Sequence, residues 1–251
     1  MTDAGGREAQ YLLAEKTQEF YSELSTTIYQ SVDCIFENTR FDLLGTEGLS
    51  SISFVADLKV NQEPQIRLQV SLVLRLSTDK KYLAVLNSEF HVKLFDESAP
   101  IFHYDFQNNP RSEIPAAHVN IHASNEPLLR LMKSAGSMNR ARLREKSVRR
   151  GHVAQPSELH FPVGGTRFRP CLEDVLQFLV YELGVDRMDG WRQVLEVSRA
   201  NWREKQLATA VVDNPLVAIR ALQSLGLIET GTAETSSTES RSTPRVEFNQ
   251  Y

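Results

Sequence analysis

The chain has 251 residues, of which 41% are hydrophobic and 24% charged, a composition typical of a globular protein with a sizeable core. Its formal net charge of −4 gives no overall attraction to nucleic acid or to a membrane surface, so such a role needs a local patch. The two cysteines, Cys34 and Cys171, lie far apart without CxxC spacing, which excludes a disulfide framework and a four-cysteine zinc site.

The opening sequence, MTDAGGREAQ, lacks the basic start and apolar run of a signal peptide. No stretch of the sequence approaches the roughly 18 apolar residues that a membrane span needs. We therefore expect a reducing, cytoplasmic location and no contact with a membrane.

Residues 1–45 are predicted as an N-terminal unit built on one amphipathic helix. From about residue 7 to residue 38 no proline occurs, and apolar residues recur at steps of three and four. Such a helix offers one apolar stripe, through which the chain could bind a protein partner or a second copy of itself. The stripe consists of Leu13, Phe20, Leu24, Ile28, Val32 and Ile35.

Residues 46–184 are predicted as an α+β core, because the spacing of apolar residues changes from the helical period to strict alternation. Short turn-rich links separate the segments, which favours an antiparallel meander of about five or six strands. The predicted strands are residues 51–60, 65–76, 82–95, 101–106, 117–123 and 159–163. A helix opening near Pro170 and ending at Gly184 closes this unit.

Residues 185–229 are predicted as a helical C-terminal region, with helices at about 191–212 and 215–225. The segment 205–228 has the rhythm of a helix-turn-helix, which is one route to a DNA-binding regulator. The start of its second helix is apolar, however, with only Arg220 and Gln223 polar, which favours an ordinary helical hairpin. Residues 230–251 are rich in Ser, Thr and Glu, and we expect a disordered tail.

All six histidines lie between residues 91 and 160, inside the strand-rich region. Alternate side chains of a strand point to opposite faces, and in each predicted strand the apolar set marks the core side. The remaining side chains then share the polar face of one sheet, which we call the histidine face. Its members are His91, His103, Asp105, His118, Asn120, His122 and His160.

Clustered imidazoles suit two kinds of chemistry. A pair of histidines can cleave RNA at the 2′-hydroxyl by acid–base catalysis without a metal. Alternatively, histidines together with Asp105 could hold a divalent metal that activates water. His118 and His122 are the first candidates for proton transfer or metal binding, His103 and Asp105 would orient or ligate, and His160 lies on the same face. No metal is required by the sequence, and none can be assigned.

Two groups of arginines are candidates for binding substrate. Arg167 and Arg169 follow Gly164 and Gly165 and could hold phosphate or a developing negative charge. A basic run over residues 140–150, which includes Arg149 and Arg150, could contact nucleic-acid phosphates. That run carries no interleaved aromatic residues, so it does not indicate base stacking, and a solvated helix face explains it equally.

The order of several short motifs resembles the small TumE-type toxins of bacterial toxin–antitoxin pairs. Those motifs are FHYD at 102–105, HVNIH at 118–122, LHFP at 159–162 and LEDVL at 172–176, so the resemblance covers about residues 101–183. It implies an intracellular toxin or defence component that acts on nucleic acid. The N-terminal helix, the basic insert and the C-terminal helices are departures from those smaller proteins.

The sequence therefore predicts a toxin-like or defence-related protein that acts on nucleic acid, most simply a ribonuclease using the histidine face. A non-catalytic interaction module and a DNA-binding regulator stand as alternatives.

Overall fold

The computed structural model describes residues 4–44, 48–77, 80, 82–110, 114–122, 143, 146–153, 155–164 and 167–228. Its elements in chain order are α1 (Ala4–Ser31), β1 (Cys34–Leu44), β2 (Leu49–Val60), β3 (Glu63–Leu76), β4 (Leu83–Leu94), β5 (Pro100–Gln107), β6 (Ala117–Ile121), a short 3-10 helix (Pro156–Glu158), β7 (Phe161–Pro162), α2 (Leu172–Leu183), α3 (Trp191–Asp213) and α4 (Pro215–Ser224).

The seven strands form one antiparallel sheet whose spatial order follows the chain, from β1 at one edge to β7 at the other. The α+β class and the antiparallel meander are therefore confirmed, with one strand more than the expected five or six. Asn61 and Gln62 form the turn between β2 and β3 with φ angles of 53° and 70°, which suits a two-residue hairpin. The Asp186 carboxylate accepts hydrogen bonds from both of their backbone N–H groups, at 3.2 and 2.6 Å.

One face of the sheet is covered by helices and holds the core. Alternation in β2 and β3 turns a continuous apolar surface towards α1, α2 and α3, because every second residue is apolar. At an estimated 25 cal/mol per Å2 of apolar area removed from water, this surface dominates the stability of the fold. Its most buried side chains include Ile28, Phe54, Leu58, Leu68, Val70, Leu74, Leu176 and Leu195.

The predicted N-terminal unit is wrong at its boundary. Helix α1 ends at Ser31, and residues 34–44, which were assigned partly to the helix and partly to its end, form the edge strand β1. Val32, which directly follows the helix, is buried in the core as the predicted stripe requires. Ile35, the last predicted member of the stripe, lies on the strand and is 47% exposed. The described part of this predicted unit, residues 4–44, is thus not separate from the core, since α1 packs on the sheet and β1 belongs to it.

The apolar stripe of α1 is used inside the molecule. Leu13, Ile28 and Val32 are buried, and Phe20 and Leu24 pack against the same core. This stripe is therefore not available as the partner-binding surface that the sequence suggested.

The two C-terminal helices lie within one or two residues of their predicted bounds. Trp191 and Leu195 of α3 join the core, so this region is continuous with the sheet rather than separate. Helix α4 has no buried residue, and Leu216, Val217 and Leu225 are more than half exposed. The expected disordered tail at 230–251 lies outside the described residues. Among the helices that the structure describes, none is long and apolar enough to cross a bilayer.

Candidate active site on the histidine face

The sheet register assembles the histidine face from three neighbouring strands. His91 on β4 lies opposite His103 on β5, and His103 lies opposite Asn120 on β6. Two residues further along β5, Asp105 lies opposite His118 on β6. Directly opposed side chains of an antiparallel pair have Cβ atoms about 4.5–5.5 Å apart, so the register alone brings these groups within contact distance.

Three imidazoles and one carboxylate make a continuous contact chain. The Nε2 atom of His103 lies 3.3 Å from Oδ2 of Asp105, and its Nδ1 atom lies 3.1 Å from Nε2 of His122. The ring of His91 stacks on His103, with centroids 4.7 Å apart and planes inclined by 19°. His103 is therefore the centre of the cluster, contacted by Asp105, His122 and His91.

These contacts determine where the protons lie. A carboxylate only accepts, so the proton of neutral His103 sits on Nε2, facing Asp105. Nδ1 of His103 is then an acceptor, and it receives the Nε2–H of His122. The basic atom of the chain is thus Nδ1 of His122, whose side chain is exposed to solvent. This is the order of a carboxylate–imidazole relay, in which each group fixes the tautomer of the next.

The outer histidines are held in their neutral form. Partial burial, and next the closeness of the second imidazole, His103, lower the pKa of His122 below its ordinary 6.5. The same two causes lower the pKa of His91. Glu89, beside His91 on β4, has a raised pKa because of burial and, next, the neighbouring Asp105. Near neutral pH both outer imidazoles are therefore able to accept a proton.

His118 is buried beneath the cluster, with only 2% of its surface exposed. Its Nδ1–H donates to the carbonyl oxygen of Pro115 at 2.9 Å, and its Nε2 lies 3.6 Å from Oδ2 of Asp105. The ring also packs edge-on against His160, with centroids 4.6 Å apart. So little of the ring is exposed that it cannot contact a substrate directly, and His118 therefore does not fit the proton-transfer role predicted for it.

Asn120 fastens the 3-10 helix onto this edge of the sheet. Its side-chain N–H groups donate to the carbonyl oxygens of Ser157 and Leu159, at 2.6 and 3.0 Å. The segment that carries His160 is thereby held against β6. His152, the sixth histidine, lies outside the cluster and pairs with Glu158 at 2.7 Å.

Arg167 and Arg169, two of the predicted phosphate-binding arginines, do not join the histidine face. The guanidinium of Arg169 lies 3.6 Å from the ring centroid of Phe106, a core-facing residue, so Arg169 is on the helix side of the sheet. Arg167 pairs with the buried Asp213 at the end of α3, at 2.7 Å. Arg149 and Arg150 lie exposed at the end of a short helical segment, 146–149.

The sequence analysis did not predict two residues of the site as catalytic or substrate-binding groups. His91 was placed on the face but not in the site, because only the register shows that it stacks on His103. Lys93, two positions further along β4 on the same face, donates to the Gln69 side-chain oxygen at 3.1 Å. The strand period could have found Lys93, since residues i and i+2 share a face.

A divalent metal was left open by the sequence. Over the described residues, no group of three or more His, Cys, Asp or Glu side chains is arranged to hold a metal ion. The contacts of His103 run to Asp105 and His122 instead, and its two ring nitrogens are both engaged. The arrangement fits proton transfer within the cluster better than metal ligation.

Comparisons with known proteins give no relatives for this chain. No protein-family model matches it, and neither the curated proteins nor the solved structures contain a match. The chemistry of the histidine face therefore has to be argued from its own geometry.

Proposed function

We propose that this chain is a ribonuclease that cleaves RNA on its histidine face by metal-independent acid–base catalysis. The observation that carries the proposal is the contact chain from Asp105 through His103 to the exposed His122. A toxin-like or defence-related role in the cytoplasm extends the proposal. Its support is the motif resemblance over residues 101–183, together with two free cysteines, Cys34 and Cys171.

His122 is the proposed general base. Its Nδ1 atom takes the proton of a ribose 2′-hydroxyl, and the resulting 2′-oxygen attacks the adjacent phosphorus. The imidazolium that forms on His122 is stabilised through His103 by the negative charge of Asp105. Asp105 is a positioning residue here, because it acts on the substrate only through the two histidines.

His91 is the proposed general acid. A protonated His91 gives its proton to the 5′-oxygen as the phosphorus–oxygen bond breaks, which leaves a 2′,3′-cyclic phosphate and a free 5′-hydroxyl. Lys93 lies about 6.5–7 Å further along β4 on the same face and supplies a positive charge for the phosphate. Because the pKa of His91 is lowered, we expect the rate to peak on the acidic side of pH 6.5.

The direct test is incubation of the purified chain with single-stranded RNA, with the same RNA carrying 2′-O-methyl groups, and with DNA of the same sequence. Only unmodified RNA should be cut, because only it carries the nucleophile, and EDTA should not reduce the rate. Replacing His122 or His91 by Ala should lower the rate by roughly 10²–10⁴-fold, the range for loss of a general base or acid.

His152→Ala is the matched control, since it removes an exposed histidine outside the cluster and should leave the rate unchanged. Asp105→Asn should lower the rate and also shift the acidic limb of the pH profile, which a merely structural role would not do. Equal cleavage of DNA, or full activity in the His122→Ala protein, would contradict the proposal.

A protein-interaction role is the second candidate, favoured by α4 rather than by α1. Helix α4 buries no residue, and Leu216, Ile219 and Leu222 are all at least 40% exposed. An intact fold without any cleavage of RNA would move the proposal to this surface. The DNA-binding alternative gains nothing from the geometry, because α4 has Arg220 as its one basic residue among exposed apolar ones.

A further inference from the structure

The helix-covered side of the sheet contains a cleft that the proposed ribonuclease does not use. It measures about 1120 Å3 and lies between α1, α3 and the start of α2, above strands β3 and β4. Pockets for small ligands usually measure about 300–1,000 Å3, so this one is large enough for a cofactor-sized molecule. We refer to it as the helix-side cleft. Its apolar lining includes Phe20, Leu24, Leu72, Val85, Phe90 and Trp202.

A buried cation lies in this lining. Arg169 is 8% exposed, with its guanidinium 3.6 Å from the Phe106 ring centroid and 5.1 Å from that of Trp202. Burial, and next the neighbouring Arg167, lower the pKa of Arg169 to about 9. A guanidinium held between two aromatic rings offers a flat platform and a positive charge at one place.

The mouth of the cleft carries carboxylates together with a second cation. Glu19 and Glu23 line it from α1, and Glu204 and Lys205 line it from α3. Lys205 lies 3.7 Å from Glu23, so that pair spans the two helices. The buried Glu173 is also part of the lining, and it accepts a hydrogen bond from Ser198. These carboxylates disfavour a polyanion such as RNA, so a single negative charge on a ligand would lie away from them, at the buried Arg169.

We propose that the helix-side cleft binds a flat aromatic molecule carrying one anionic group, with the anion at Arg169 and the rings against Trp202, Phe90 and Leu72. The apolar walls take up the ring system, and the guanidinium pairs with the anion where water is largely excluded. This site lies on the other side of the sheet from the histidine face, so it does not depend on the ribonuclease proposal.

A pair of fluorescent probes tests the inference on the full chain. 8-Anilinonaphthalene-1-sulfonate is an aromatic monoanion, and N-phenyl-1-naphthylamine has the same ring framework without the charge. The wild-type chain should bind the anion more tightly than the neutral probe. Arg169→Gln should lower the affinity for the anionic probe by about tenfold, the effect of losing one charge-assisted contact. It should change the affinity for the neutral probe by no more than about twofold.

Two further variants separate the cleft from other binding surfaces. Ala208→Trp places a large ring in the lining from an exposed position of α3 and should lower the affinity for both probes. Lys205→Gln removes a positive charge from the mouth and should leave the preference for the anion intact. A probe bound to the exposed apolar residues of α4 would respond to neither Ala208→Trp nor Arg169→Gln.

The neutral probe also reports whether the cleft of the Arg169→Gln protein is still formed. If that protein does not fold, the wild-type preference and the loss on Ala208→Trp decide the matter. Equal affinity of the wild-type chain for both probes, or binding that survives Ala208→Trp, would overturn the proposal.

Discussion

The two faces of the sheet come from the same strands but differ in almost every physical property. On the helix side, β2 and β3 present buried side chains such as Phe54 and Leu68 to three helices. On the other side the same strands present Ser53, Ser71 and Gln69, which stay partly exposed. The difference shows how a period of two lets one strand contribute stability on one face and chemistry on the other.

The side chains on the polar face also change in kind from one edge of the sheet to the other. Towards β2 it holds serines, Val55 and the ion pair of Asp57 with Arg67, whereas its histidines lie on β4, β5 and β6. Titratable groups gather where the sheet narrows to the short strand β6. There the 3-10 helix is hydrogen-bonded to Asn120, and both His118 and Asn120 are buried.

The largest expected difference between the two faces comes from a pair of neighbouring substitutions on β2. Phe54→Ala removes a fully buried ring, and we expect the free energy of unfolding to fall by about 3–5 kcal/mol. Val55→Ala, one residue on and facing the open side, should cost under about 1 kcal/mol because that side chain keeps solvent contact. Urea denaturation of both proteins measures the difference. Equal losses would mean that the polar face is covered in solution.

Most of the fold could be predicted from the sequence because strand alternation needs only local information. The predicted strand at 65–76 corresponds to β3, and the alternation correctly opposed His103 to Phe102 and Tyr104. The end of α1 could not be predicted, since Ile35 continues the helical spacing as well as it starts a strand. Only the pairing of residues 34–44 with β2 decides between the two.

A second test of the difference between the two faces uses Asp57. This carboxylate lies on the polar face, yet its side chain is only 2% exposed. Arg67, opposite on β3, donates to it through Nε at 2.7 Å and Nη2 at 2.8 Å. We expect Arg67→Ala to lower the free energy of unfolding by about 2 kcal/mol, since hydrogen bonds to charged groups contribute about 1.5–3 kcal/mol.

Arg75→Ala is the matched control for that substitution, because Arg75 is an exposed arginine of the same strand and face. It should change the stability by less than about 0.5 kcal/mol. The double substitution of Asp57 and Arg67 by Ala should cost less than the sum of the two single ones, as expected for a coupled pair. Additive losses would show that the two residues act separately.

The candidate site was less accessible to sequence reasoning than the fold. The face of each histidine follows from alternation, but contact between them depends on register, which a bulge between Val92 and Lys93 helps to set. The predicted role of Arg169 depended on the side of the sheet that it reaches, which the local sequence after β7 does not show. Gly164 has a φ of 113°, and a Cβ there would clash with the carbonyl oxygen of Phe168, so glycine is required where the chain leaves β7.

The smallest expected effect is a pH dependence that belongs to the histidine face alone. His91 and His122 have lowered pKa values in the folded chain, so the unfolded chain binds protons first as the pH falls below about 6.5. Stability should therefore decrease from about pH 6.5 downwards, until the folded-state pKa values are reached. The raised pKa of Glu89 acts in the opposite direction, because its stabilising contribution is present at low pH and is lost as the pH rises.

Replacing both His91 and His122 by Gln isolates their contribution, because Glu89 remains in both proteins. The double variant should lose less stability than the wild type when the pH is lowered from 7 to below 6, and its melting temperature at each pH measures this. The same two substitutions should leave the stability at pH 8 nearly unchanged, since neutral imidazoles and amides are both uncharged there. Parallel curves for the two proteins would mean that folding does not lower the pKa of these histidines, which would contradict the acidic rate optimum expected for the proposed RNA cleavage.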